Sequence, residues 1–259
     1  MEVKNISWNQ KQTKKSNHPL LPQILRGLFV GKSGCGKTTL LLNLLLRPNW
    51  LNYSKLSVFG KSLFQPQYRI LKKGFKEQLP KRVIMNLFEN QNEIQEQISL
   101  SVLIEELAKD QRSRSKQHIE CSFYESADDV PDPKELSPEQ KKLMIFDDHL
   151  LLQKSNKCEA YYVRRRHSNC DCLYLSQNYF KLPRQTIREN ANFFCLFPQD
   201  QKNIDHIFND DVSQDMTKEQ FKKLCKHAWS KPHNLVVIDL TSPKNCGRYR
   251  SGFDDFYII

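Results

Sequence analysis

The chain has 259 residues, with 40 Lys and Arg against 29 Asp and Glu for a formal charge of +11, and its 39% hydrophobic and 27% charged content is that of a globular protein. Eight glycines and twelve prolines exclude a collagen-like or low-complexity chain, and the densest apolar run, residues 40–46, is far shorter than the roughly 20 residues a membrane-spanning helix needs. The positive balance makes a polyanion the first partner to consider, against the plain alternative of a soluble basic protein.

No apolar block follows the N-terminal charges, so no secretory signal is expected and the eight cysteines are expected as reduced thiols. At about 150 residues per domain, the length suits one large domain or one with a small appendage. A flexible basic arm is expected over 1–20, around Lys11, Lys14 and Lys15, followed by a core over 21–210. Residues 211–259 are expected to supply a C-terminal helix and strands that either complete the core or append to it.

In chain order, residues 24–30 form a short apolar stretch of strand length. Residues 31–38 then read GKSGCGKT, with Gly31, Gly36, Lys37 and Thr38 at every fixed position of the phosphate-loop pattern G-x-x-x-x-G-K-[ST]. Residues 39–46 are strong helix formers, ended by Pro48. Strand, glycine loop and helix is the context that this pattern requires. Backbone N–H groups of Gly31, Lys32, Ser33, Gly34, Cys35, Gly36, Lys37, Thr38 and Thr39 can curl around phosphate oxygens at a helix N-terminus that carries about half a positive charge. Lys37 is expected on the β- and γ-phosphates and Thr38 on Mg²⁺, so ATP and Mg²⁺ are the expected cofactors.

Strands are expected at 55–60 and 119–124, helices around 67–77 and 90–107, and a surface loop over the Pro- and acid-rich 125–138. Lys72, Lys73, Lys76, Lys81 and Arg82 form a basic run that suits either a DNA-contacting loop or plain surface, as does 109–116. Residues 142–150 read KLMIFDDHL, an unbroken apolar run suited to a parallel strand covered on both faces. Its first acid, Asp147, is expected at the strand's C-terminal edge beside the phosphate loop, holding Mg²⁺. Asp148 is the candidate to polarise the attacking water, with a solvated loop acid as the plain alternative.

A helix is expected at 156–167 and a strand at 171–175 running into Ser176-Gln177-Asn178. Gln177 there is placed to bond the γ-phosphate and report its loss, or else to satisfy a local turn. Cys170-Asp171-Cys172, with His167, is the nearest approach to a metal-ligand cluster; on a strand the two thiols are expected to diverge, so no metal site is expected. A short helix opened by Pro183, a strand at 191–197, helices at 199–209 and 216–229, and a strand at 235–240 follow. The alternation argues for an α/β fold. Between 157 and 190, seven Lys and Arg face three acids. Arg164, Arg166, Arg184 and Arg188 compete for the role of an arginine acting on a neighbouring subunit's nucleotide, with Arg166 and Arg184 preferred.

Taken together and in this order, LFVGKSGCGKTTLLLNLL, KLMIFDDHL and RRRHSNCDCLYLSQNYFKLPRQTIRENANFFCLF resemble the FtsK–HerA superfamily of DNA-pumping ATPases. Within it they are most similar to the poxvirus-type genome packaging ATPases, also found in virophages and Maverick/Polinton-like elements. The L-S-G-G-Q signature of ABC transporter ATPases is not found. The resemblance implies a P-loop NTPase fold of ASCE type, RecA-like, with a mainly parallel sheet and helices on both faces. It implies a ring homo-oligomer, pentamer or hexamer, that threads double-stranded DNA into a capsid, with a capsid or portal-vertex protein as a further partner. The expected location is the host cytoplasm, viral factory or nucleus, or the virion. A helicase or other DNA-dependent NTPase unconnected to a capsid is the alternative.

Overall fold

The computed structural model describes the backbone of residues 2–5 and then residues 16–90, 104, 119–147, 157–163 and 169–259. Strands β1 (Glu2–Asn5), β2 (Arg26–Val30), β3 (Lys55–Gly60), β4 (Glu120–Tyr124), β5 (Lys142–Asp147), β6 (Cys170–Ser176), β7 (Phe193–Leu196), β8 (Val236–Asp239), β9 (Tyr249–Ser251) and β10 (Asp255–Ile258) make one sheet. Its order is β1-β10-β9-β8-β7-β2-β6-β5-β3-β4. From β7 to β4 every pairing is parallel. From β7 through β8, β9 and β10 to β1 every pairing is antiparallel.

The parallel half follows from the sequence pattern. Its strands are apolar at consecutive positions, so both faces need cover. On one face Leu28, Met144, Phe146, Tyr174 and Phe194 pack against helices α4 (Lys157–Val163), α5 (Gln201–Ile207) and α6 (Lys218–Ala228). On the other, Phe29, Val58, Ile145, Leu173 and Cys195 pack against α1 (Lys37–Leu46), α2 (Pro66–Lys76) and α3 (Lys81–Glu89). The fold is a mixed α/β P-loop architecture with helices on both faces. Strand β6 lies between the phosphate-loop strand β2 and the acid-bearing strand β5, the arrangement expected of the ASCE type.

Residues 211–259 complete the sheet rather than hang from it. Helix α6 starts at a capping box in which the Thr217 hydroxyl accepts from Gln220 N and the Gln220 side chain accepts from Thr217 N. β8 then enters antiparallel beside β7.

Several expectations need correcting. Lys11, Lys14 and Lys15, around which a flexible arm is expected, lie outside the described residues; of the described parts of 1–20, β1 pairs with β10, and Asn17 is buried, its amide donating to Pro22 O at 3.0 Å and Asp171 Oδ2 at 2.9 Å. Cys170 and Cys172 do not diverge, because residues two apart on a strand share a face, and both lie in the cluster with Tyr161 and Tyr174. Among the described residues no group of three metal-ligating side chains is found. The segment after Pro183 makes successive turns and a 3₁₀ turn, Arg188–Asn190, in place of a helix, with Arg188 N and Glu189 N reaching back to Pro183 O and Arg184 O. Lys72, Lys73, Lys76, Lys81 and Arg82 sit on α2 and α3, not on a loop. Lys81 lies over the Tyr53 ring at 4.0 Å, and burial lowers its ammonium to about 8. The expected helix at 90–107, apart from Asn90 and Ile104, and the basic run at 109–116 fall outside the described residues. No described helix is long and apolar enough to cross a membrane.

Candidate nucleotide site

The phosphate loop begins where β2 ends, at the C-terminal edge of the parallel strands. Gly31 N donates to Ser176 O at 3.0 Å, tying the loop's first residue to the end of β6. A side chain on Gly31 would put its Cβ 2.5 Å from Cys35 Sγ and 2.7 Å from Phe197 Cβ, so only glycine lets the loop fold back this closely. Gly36, the residue before α1, has φ +104°, a backbone state that L side chains rarely adopt. Gln199 braces the loop's base by donating to Val30 O at 3.0 Å and Phe197 O at 2.9 Å.

Lys37 opens α1 and is buried to 9% exposure; its Nζ donates to Gly31 O at 2.5 Å and Lys32 O at 3.0 Å. Those bonds hold the ammonium within the loop's own curl. Beside it lies a cavity of about 440 Å³, lined by Ser33, Gly34, Gly36, Lys37, Thr38 and Thr39 from the loop and α1, by Asp147, by Gln177, and by Ser62, Gln65 and Gln67. The loop, the strand-end acid and the strand-end amide therefore meet at one cavity although Lys37 and Gln177 are 140 positions apart in the sequence. Parallel pairing is the cause: β2, β6 and β5 end side by side, with Val30 opposite Ser176 and Leu175 opposite Asp147.

The expected site residues do not all reach the cavity. Gly31, Lys32 and Cys35 shape the loop from behind. Asp148 and Arg166, with Arg164, lie outside the described residues. Arg184 stands away from the cavity on the turns after Pro183, its side chain 64% exposed and paired with Glu189 at 3.1 Å and Asp210 at 3.7 Å. Arg188 is committed inside the subunit: only 7% exposed, it bonds Asp210 at 2.6 Å and lies 5.0 Å over the Tyr179 ring, so it is not presented to a neighbour.

Sequence reasoning missed Ser62, Gln65, Gln67 and Tyr68. They come from the loop after β3 and the first turns of α2, whose Pro66 marks the helix start without hinting at a site. Tyr68 is fully buried, and its hydroxyl donates to Asp147 Oδ2 at 2.7 Å. Burial and the neighbouring Asp147 charge push the phenol up, so it stays a donor at every physiological pH. Thr38 and Asp147 line the same cavity, and their hydroxyl and carboxylate oxygens are the hard donors that Mg²⁺ takes.

The strand-end amide is anchored by its successors. Ser176 Oγ accepts from Asn178 N at 3.2 Å, and the Tyr179 hydroxyl donates to Asp211 at 2.6 Å and Asp210 at 3.2 Å. Burial is the main force raising the Asp211 carboxyl to about 7, with the Asp210 charge adding to it against the Tyr179 bond. Because the folded value lies above the ordinary 3.8, the unfolded chain ionises first as pH rises, and the fold loses stability across that interval. Asp211→Asn keeps an acceptor for Tyr179 and cannot ionise. Its melting temperature relative to the wild type is expected to rise by several degrees between pH 4.5 and pH 8, read by calorimetry across the series; a flat difference is the contrary result.

No protein-family model matches the chain, and no curated protein matches it. Among solved structures, the genome packaging NTPase B204 from Sulfolobus turreted icosahedral virus 2, in complex with ATP-gammaS, aligns at 11% identity over 89% of this chain and 94% of that chain, with a TM-score of 0.45. VirB4 of Thermoanaerobacter pseudethanolicus aligns at 9% identity over 90% of this chain and 89% of that chain, with a TM-score of 0.45. The bacterial conjugative coupling protein TrwBdeltaN70 aligns at 10% identity over 82% and 81%, with a TM-score of 0.39. Likenesses this distant say nothing of what this chain binds or does.

Proposed function

We propose that the chain is an ATPase of the FtsK–HerA type that drives double-stranded DNA into a viral or virus-like capsid as a ring of identical subunits. The observation that carries the ATPase part is the single cavity at which the Lys37–Thr38 helix start, Asp147 and Gln177 meet. In that reading Gly31 to Thr39 cradle the phosphates, Lys37 neutralises charge on the transferring group, and Thr38 and Asp147 hold Mg²⁺, which would supply electrophilic stabilisation when bound. Asp148 polarises the attacking water, and Gln177 bonds the γ-phosphate. Arg166 and the exposed Arg184 are the residues proposed to reach a neighbouring subunit's nucleotide.

The packaging part rests on the sequence resemblance, above all LSQNYFKLPRQTIREN, and on the +11 charge. A capsid or portal-vertex protein is then the natural docking partner, and the host cytoplasm, viral factory, nucleus or virion the natural location. The competing reading is a helicase or other DNA-dependent NTPase without a capsid. Phosphate release is expected to rise severalfold when duplex DNA is added under conditions that favour oligomers, with no strand displaced; a displaced strand selects the helicase, and indifference to duplex DNA removes the motor. Asp148→Asn is expected to lose hydrolysis by about 10² or more while keeping ATP binding within a few-fold. Equal turnover in the variant and the wild type removes Asp148 from the mechanism.

A further inference from the structure

The geometry points to Tyr68 as a positioning residue of the proposed metal site, fixing the Asp147 carboxylate in one orientation through its hydroxyl. The inference rests on the proposed nucleotide site and adds a residue that the phosphate-loop pattern does not contain.

Buried phenols here bond either backbone or carboxylate: Tyr179 and Tyr249 donate to Asp211 and Asp215 at 2.6 and 2.8 Å, carboxylates that do not line the cavity. Tyr53, Tyr161 and Tyr162 donate to the backbone carbonyls of Leu45, Pro131 and Gly27 at 2.8, 2.9 and 2.8 Å, which is plain satisfaction of a buried donor. Tyr68 donates to a carboxylate at the end of β5, at the cavity wall. Asp147 is the last residue of its strand, where a short side chain has room to turn. A charge-assisted bond of 2.7 Å to a rigid, fully buried phenol selects one orientation of its carboxylate. The phenol is itself enclosed, in the same buried cluster as Ile70, Leu71 and Phe75 of α2. α2 therefore bridges to the end of β5, and the Asp147 carboxylate is held before any ion arrives. Partners of metal ligands set ligand orientation in this way and are worth roughly 10- to 100-fold in metal affinity.

The test is Tyr68→Phe, which keeps the ring and deletes the hydroxyl. Binding of a fluorescent ATP analogue is titrated against Mg²⁺ and repeated in EDTA, where the phosphate loop alone holds the nucleotide. The expected result is a Mg²⁺ midpoint about tenfold higher than in the wild type, with the EDTA affinity unchanged within twofold. Asp147→Asn and the double variant close the cycle. If Tyr68 acts through Asp147, the double variant's midpoint is no higher than that of Asp147→Asn alone. An unchanged midpoint in Tyr68→Phe, additive shifts, or an equal loss in EDTA that marks general damage to the loop each overturn the positioning role. A wild type whose nucleotide binding ignores Mg²⁺ overturns the metal site itself, and the inference with it, before any variant is read.

Discussion

Lys37→Ala is expected to lower ATP affinity by at least about 10² and to abolish hydrolysis, a loss of 10³ or more in turnover, with the fold retained. The ammonium is the one cation among the described side chains that line the cavity. It is placed by the chain rather than by a ligand, since Gly31 O and Lys32 O hold it at 2.5 and 3.0 Å. Removing it leaves two carbonyls to be satisfied by water at the cavity edge, a modest cost, while alanine suits the first turn of α1. Lys37→Met separates the two contributions, because it keeps the stem and deletes only the charge. Both variants are expected to fail alike in equilibrium binding of labelled ATP and in phosphate release, with melting temperatures within a few degrees of the wild type. A Met variant that binds as tightly as the wild type would transfer the role to backbone N–H groups alone.

That site was legible because its chemistry is local in sequence at each point. The phosphate loop needs glycine at positions 31 and 36 for steric and conformational reasons that leave a mark in any chain, and Asp147 ends an apolar run whose length shows where the strand stops. Gln177 was readable for the same reason. What joins the three is parallel pairing, which the uniform hydrophobicity of β2, β5 and β6 announces. Tyr68 was not legible. Nothing in QPQYRILKKGF separates a tyrosine that meets a carboxylate from one that meets a backbone oxygen, since the distinction depends on where α2 lies against the sheet. The antiparallel half was hidden for a related reason. Val236–Asp239 reads as buried strand in either direction, and β9 and β10 are three and four residues long, too short for a pattern to declare itself. The Arg188 competition was likewise decided by tertiary contact: an arginine in a basic stretch reads as surface until Asp210 and the Tyr179 ring are seen to enclose it.

The antiparallel half depends on one buried ion pair, and breaking it is expected to have the largest effect on stability. Arg250 on β9 and Asp239 at the end of β8 meet at 2.9 Å with side chains 1% and 2% exposed. Each is otherwise fully occupied. Arg250 Nε donates to Gly247 O at 2.6 Å and Nη1 to Leu20 O at 2.7 Å, while Asp239 accepts from Thr241 N, Thr241 Oγ1 and Ser242 Oγ. The guanidinium thus joins the C-terminal strands to the residues that lead into β2, and through them to the phosphate loop. Asp239→Ala strands a charge that burial already disfavours, as the lowered Arg250 value shows, and removes the acceptor of the following turn. The expected cost is about 3–5 kcal/mol, or roughly 10 °C in melting temperature for a chain of this size. Replacing both partners by apolar residues, as in Asp239→Leu with Arg250→Met, removes the stranded charge and is expected to be less destabilising than Asp239→Ala alone. Denaturant melts of the three proteins decide it. If the double variant is the least stable, the carbonyls of Leu20 and Gly247 matter more than the ion pair, and Arg250 acts chiefly as a hydrogen-bond donor to the backbone.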